Sequence, residues 1–331
     1  MPSIRVGISG WRYTPWRGTF YPAGLPQHAE LEYGARIFPT IELNGSFYSL
    51  QRPASYRSWH DQTPADFVFA VKGGRYITHM KRLRDIEEPL ANFFASGVLN
   101  LGRKLGPLLW QFPPNFRYDH AKMQGFFDLL PRDTSAARIL ARKHASWMKG
   151  RVSLPAGERR PLRHAVEIRH ESFLDTSFVD LLRDYNIALV IAETASRWPM
   201  TQDITAEFVY IRLHGDRELY RSGYGDRALQ RWAKRIRAWH SGSEPDDAQK
   251  ISVRKPAAAR GRDVYCFFDN TDVKLRAPFD AQALMNKLGL KPAPGSQDPG
   301  LQRQPRPRQT RMDRPAQRAV RPGKPRAAPR A

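Results

Sequence analysis

The chain has 331 residues, 41% of them hydrophobic and eight of them Trp, enough for one large domain or two small ones around a substantial core. It has no run of 18 apolar residues to span a membrane, no charged-then-apolar leader in "MPSIRVGISGW", and a single cysteine, Cys266, which excludes an internal disulfide or a cysteine-based zinc cluster. A cytoplasmic protein is the expectation. The formal charge of +22 points toward nucleic acid, but residues 291–331 hold eleven Lys/Arg against two Asp, leaving +13 on the preceding 290 residues.

In chain order, short apolar runs alternate with helical patterns. The predicted strands are 4–9, 40–44, 67–73, 107–112, 164–170, 187–193, 208–215 and 264–270. The predicted helices are 27–37, 53–61, 86–102, 119–130, 173–185, 226–240 and 278–288. The stretch after the sixth strand, "TASRWPMTQDIT", is too short and too proline-marked for a full helix. Strands separated by helical crossovers imply a parallel sheet, and eight of them match the size of a (β/α)8 TIM-type barrel. A doubly wound open sheet is the alternative, but no G-x-G-x-x-G turn follows the first strand. The domain reading is therefore a single barrel over 1–290.

Two inserts, 131–162 and 241–262, interrupt the pattern. The second is polar and Pro/Ala/Gly-rich, and reads as a mobile surface loop on the rim away from the strand ends. Residues 291–331 carry nine prolines and almost no large apolar side chains, so they read as a disordered basic tail.

Side chains on a strand alternate between its faces. Val209, Ile211 and Leu213 form one face of the seventh strand, and Tyr210, Arg212 and His214 the other. Likewise Arg5, Gly7 and Ser9 oppose apolar residues, as do Glu42 with Asn44 and Glu167 with Arg169. With the apolar faces against the helices, the polar sets point into the barrel, where branched aliphatics are usual. The other strands end in Lys72, Gln111, Glu193 and Asn270, so nearly every strand brings a polar group to the mouth. One account of the buried charges is structural: Arg5, Arg169 and Arg212 neutralise Glu42 and Glu167. The other is a site.

The stretches "GISGWRYTPWRGTFYPAGL" (7–25), "TIELNGSFYSL" (40–50), "FVFAVKGGRYITHMKRL" (67–83), "LGPLLWQFPPNF" (105–116), "AVEIRHESF" (165–173), "YIRLHG" (210–215) and "VYCFFDNT" (264–271) resemble YecE-like proteins, the domain of unknown function seventy-two. The resemblance covers residues 4–288, implies a TIM-type barrel and brings no settled activity. Comparisons of that family with sugar isomerases and endonuclease IV-like barrels rest on fold alone. The sequence departs from the family pattern in "FFDN", where an Asn pair is more typical, and in Glu193, where Asp is commoner.

Two function classes follow. In the first, the mouth holds a hydrolase, lyase or isomerase site for a small sugar-like or phosphorylated substrate. Glu42, Glu167, Glu193 and His214 are then the catalytic candidates. Lys72, Arg169 and His170 would hold an anionic group, with Asn44, Gln111 and Asn270 hydrogen-bonding beside them. Trp11, Tyr13 and Tyr48 offer flat surfaces, and His79 follows the third strand in "RYITH", whereas Trp110 reads as core. A divalent metal is an open alternative but not the favoured one. Three carboxylates and one His suit Mg²⁺ or Mn²⁺ better than Zn²⁺, and the three His near strand ends are too few for a trinuclear zinc centre. In the second class, the basic surface, "HMKRLR" (79–84) and the tail bind nucleic acid. A basic groove across the strand ends would support it, while charge on outer helices such as "QRWAKRIRAW" would be ordinary solvation.

Overall fold

The computed structural model describes residues 1–271 and 275–291. The expected disordered tail lies outside the described residues except for Lys291.

Nine parallel strands form one sheet in the order β6-β5-β4-β3-β2-β1-β9-β8-β7. They are β1 (Ile4–Ser9), β2 (Thr40–Leu43), β3 (Val68–Lys72), β4 (Leu105–Gln111), β5 (His164–Glu167), β6 (Ala188–Leu189), β7 (Ile191–Glu193), β8 (Phe208–Leu213) and β9 (Asp263–Phe268). The short β6 and β7 are one run of chain interrupted at Val190. Its first half pairs with β5 and its second with β8, so this run brings the two ends of the sheet together. The structure thus contains the eight expected strand runs, one of them divided. The ring is thus nearly closed, with β6 and β7 as its two ends.

The alternation read from the sequence sets what fills the barrel. Ala70, Leu109, Ala165, Ala188, Val190 and Ala192 face Phe208, Tyr210, Tyr265 and Phe267 in one buried cluster. Small side chains from β3–β7 leave the volume that the aromatics of β8 and β9 occupy. Gly7 of β1 is required for a related reason: a Cβ there would stand 1.9 Å from the Thr40 carbonyl oxygen.

Helices α1 (Glu30–Ile37), α3 (Pro53–Asp61), α4 (Glu87–Ala95), α5 (His120–Leu129), α7 (Thr176–Asp184), α8 (Asp226–His240) and α9 (Ala277–Leu288) supply the crossovers, and α2 (Gly45–Tyr48) is a single turn above β2. Their starts follow the sequence: Asp119 and Asp175 accept hydrogen bonds from the first-turn amides of α5 and α7, and Pro53 opens α3. The first insert contains one more helix, α6 (Thr134–Ala141), capped by Asp133.

No helix follows β7, and an extended segment descends in its place. The second insert packs on that segment and is not the free loop expected of its composition. Gln202 N donates to Gln249 O, and the Asp203 carboxylate accepts from Ile251 N and Ser252 N. The buried Asp203 carboxylate needs those amides. Arg5 also departs from the expected ion network: its guanidinium donates to the Pro39 and Asp66 carbonyls at the N-terminal rim.

Candidate functional site at the barrel mouth

The carboxyl ends of the strands and the loops after them enclose a pocket of about 640 Å³. Its floor is a charged network in which every member comes from a strand end. Arg212 lies at the centre, fully buried. It donates from Nε and Nη2 to Glu42 (3.0 and 2.8 Å), from Nη1 to Glu167 (2.6 Å) and from Nη2 to Asp269 (2.9 Å). Glu42 also accepts from Tyr210 Oη at 2.6 Å and from the Ser9 hydroxyl. Glu167 also accepts from Gln111 Nε2 at 2.7 Å and from Arg169 Nε at 2.9 Å. Burial alone would raise the Glu167 pKa, but Arg212 and then Arg169 hold it well below the usual carboxylate range.

His214 sits behind this floor with no exposure. Its Nδ1 is 3.1 Å from the Asp269 carboxylate and its Nε2 is 3.4 Å from Arg212 Nη1. Burial, and then Arg212, lower its pKa, and the ring braces Asp269 without lining the pocket.

The polar groups that line the pocket include Lys72, Arg169, Arg12, Asp269, Asn44 and Gln111, and its aromatic walls include Trp11, Tyr13, Phe47, Tyr48 and Tyr220. Lys72 Nζ lies 4.2 Å from the centre of the Phe47 ring and has no carboxylate within ion-pairing distance among the described residues. Burial, and then the charge of Arg212, lower its pKa to about 8. Asp269 is held at about 2, because Arg212 and His214 outweigh the effect of its burial. Arg169 stacks 3.8 Å over the Trp198 ring and donates from Nη2 to Tyr220 Oη at 3.1 Å. That leaves its Nη1 without a partner among the described residues. Asn44 donates to Ser9 Oγ at 3.2 Å, while its buried Oδ1 has no partner among the described residues.

The sequence-derived candidates therefore divide into three groups, with His79 apart from them at the rim. Trp11, Tyr13, Asn44, Tyr48, Lys72, Gln111 and Arg169 line the pocket. Glu42, Glu167 and His214 lie beneath it, fully buried and bound to Arg212, where they position other groups. Glu193, His170 and Asn270 are elsewhere. Ala192 faces the barrel interior, so Glu193 points outward and accepts from Trp232 Nε1 at 2.9 Å. His170 accepts the Ser172 amide in the turn after β5. Asn270 donates to the Asp280 carboxylate of α9 and to the Ser222 carbonyl. His79 is at the rim, edge-on to Phe47 at 5.0 Å, with its pKa lowered to about 4 by burial and by Lys72 and Arg169. Trp110 is buried in the core as expected.

Asp269 and Tyr220 are the principal residues that sequence reasoning missed. The signal for Asp269 was present: Tyr265, Phe267 and Asp269 share the inward face of the last strand, and Asn270 the outward one. Tyr220, in the loop after β8, gave no signal. Among the described residues no group of three or more His, Cys, Asp or Glu is arranged to hold a metal ion. The carboxyl groups of Glu42 and Glu167 instead converge on the Arg212 guanidinium.

Comparison with known proteins agrees with this architecture. Residues 5–307 match the family described as "Protein of unknown function DUF72", which extends past the barrel boundary read from composition. The chain is 24% identical over 246 residues to the UPF0759 protein YecE of Escherichia coli K12, covering 73% of this chain and 84% of that one. It is 30% identical over 118 residues to the UPF0759 protein YunF of Bacillus subtilis 168, covering 34% and 41%. Among solved structures, a DUF72 family protein (TM1631) from Thermotoga maritima aligns with a TM-score of 0.64 at 23% identity, over 86% of this chain and 99% of that one. A second, EF0366 from Enterococcus faecalis V583, aligns at 0.63 and 16% identity, over 87% and 96%. At these identities the likeness is one of fold.

Proposed function

The chain belongs to the DUF72 family, and from the chemistry of its barrel mouth we propose that it is an enzyme acting on a small, anionic, sugar-like or phosphorylated substrate. One observation carries the reading: Lys72 Nζ enters an aromatic-walled pocket with no carboxylate paired to it, above a floor that holds its neighbours rigidly. A buried lysine near pKa 8 exchanges a proton at neutral pH, as a lysine in water does not. In this reading Arg169, fixed by Glu167, Tyr220 and Trp198, holds the anionic group of the substrate. Asp269 and the free Asn44 carbonyl accept hydrogen bonds from hydroxyls, and the aromatic walls cover the sugar face. Lys72 moves the proton. The isomerase and lyase classes fit this arrangement better than a two-carboxylate hydrolase, because Glu42 and Glu167 lie beneath the pocket and are bound to Arg212.

The test is proton NMR in D₂O with a panel of aldoses, ketoses and their phosphates, comparing wild type with Lys72→Met. Consumption of a substrate, or solvent exchange at a carbon-bound hydrogen, is expected in the wild type, with at least a ~100-fold loss in the variant, a typical contribution of a positioned base. Unchanged turnover in Lys72→Met, or no turnover of any panel member, refutes the reading.

A further inference from the structure

A second region lies beside the mouth and plays no part in the chemistry above. A cavity of about 420 Å³ is lined by Arg52, Arg57, Lys149 and Arg151 and by no acidic residue. All four cations are exposed, and none has a carboxylate within ion-pairing distance among the described residues. A cavity of about 560 Å³ is lined by Leu50, Tyr76, Ile77, Phe93 and Trp147. The same two stretches of chain, 50–57 and 147–152, contribute to both cavities. Leu50 and Arg52, and Trp147 and Lys149, are two residues apart, so backbone positions lining the two cavities lie within about 7 Å of each other.

The aromatic side chains are also unusual in their exposure. The large exposed aromatics among the described residues are Tyr48 (66%), Tyr76 (51%) and Trp147 (59%). Tyr76 and Trp147 wall the second cavity, and Tyr48 stands at the edge of the mouth under the Arg75 guanidinium, 5.6 Å from its ring centre. Exposed aromatic faces next to unpaired cations form a stacking platform beside a phosphate track.

We propose that the two cavities together form a groove for single-stranded nucleic acid. Phosphates lie against Arg52, Arg57, Lys149 and Arg151, and unpaired bases stack on Trp147 and Tyr76. A duplex keeps its base faces stacked on one another and offers none to these rings. The aromatic cavity also contains Asp85, 3.8 Å from Lys81, and Glu88. These carboxylates repel phosphate there and accept from the ring N–H or amino groups of a base, which keeps the backbone on the basic side.

The experiment measures fluorescence anisotropy of a fluorescein-labelled 12-mer of deoxythymidine with the full chain, across a salt series. Variants are Lys149→Glu/Arg151→Glu, Trp147→Ala, and a control of identical charge change on the outer face of α8, Arg231→Glu/Lys234→Glu. All carry the same basic tail, so differences report the groove. Four phosphate contacts predict that the groove contributes about −3 to the log–log salt slope for a single strand, about half of which the groove pair removes. At least tenfold weaker binding is expected for that pair, and at least about fivefold weaker for Trp147→Ala. The control should change less than about threefold. The proposal is overturned if the control pair weakens binding as much as the groove pair, if the strand does not bind, or if free thymidine monophosphate competes as well as the 12-mer.

Discussion

Arg212 and Glu42 meet through two hydrogen bonds, Nε to Oε2 at 3.0 Å and Nη2 to Oε1 at 2.8 Å, and both side chains are sealed from solvent. Such a pair costs desolvation when formed, but removing one partner strands the other in a medium of low polarity. Glu42→Ala is therefore expected to destabilise the fold by about 3–5 kcal/mol. The melting temperature, followed by circular dichroism, should fall by about 10 °C or more. A change of less than about 2 °C would mean that the network is not a support of the barrel.

Acid should release the floor. Glu167 and Asp269 have depressed pKa values in the folded state, Asp269 at about 2. Their contribution is present above the unfolded carboxylate range near pH 4 and is lost as pH falls toward 2. For Asp269 alone it is about 2 kcal/mol. Urea unfolding between pH 6 and 2.5 is expected to show stability declining below about pH 4, with a shallower decline in Asp269→Asn. Identical pH profiles for the two proteins would contradict this linkage.

Lys72 has the opposite sign. Its folded pKa of about 8 lies below the unfolded value near 10.4, so the protonated amine opposes folding at all pH values below about 8. That opposition fades as pH rises from about 8 to 10.4. Lys72→Met is thus expected to raise stability at pH 7 by about 1–3 kcal/mol, an effect that disappears near pH 10.5. Reductive ¹³C-methylation followed by NMR titration should place the Lys72 midpoint near 8 and lower it in Asp269→Asn, which removes a stabilising negative charge. A midpoint near 10 would refute the arrangement.

Glu193 and Asp269 provide a matched comparison, since both are carboxyl groups near strand ends. Asp269 faces the pocket, while Glu193 faces Trp232 and Tyr224 on the outside of the barrel, where burial raises its pKa. Once a substrate is known, Asp269→Asn should lower kcat/KM at least about 100-fold, and Glu193→Gln should leave it within about threefold. Equal losses would show that the outward carboxyl also serves the reaction.

The sequence by itself determined the barrel and the face of each strand. Crossover helices force parallel pairing, and a period of two assigns every strand residue to the interior or the helix layer. Applied to Glu42, Glu167, Arg169, Arg212 and His214, that rule placed each on the correct side. Glu193 and Asn270 stand last in their strand runs, and both point outward. What only the tertiary structure decided is depth and partnership. Alternation cannot say that Arg212 holds Glu42 and Glu167 beneath the pocket and Asp269 at its wall, nor that Lys72 remains unpaired above them. Those relationships depend on strand stagger and on side chains brought together from positions up to 227 residues apart, from Glu42 to Asp269. Local pattern in the chain carries no record of them.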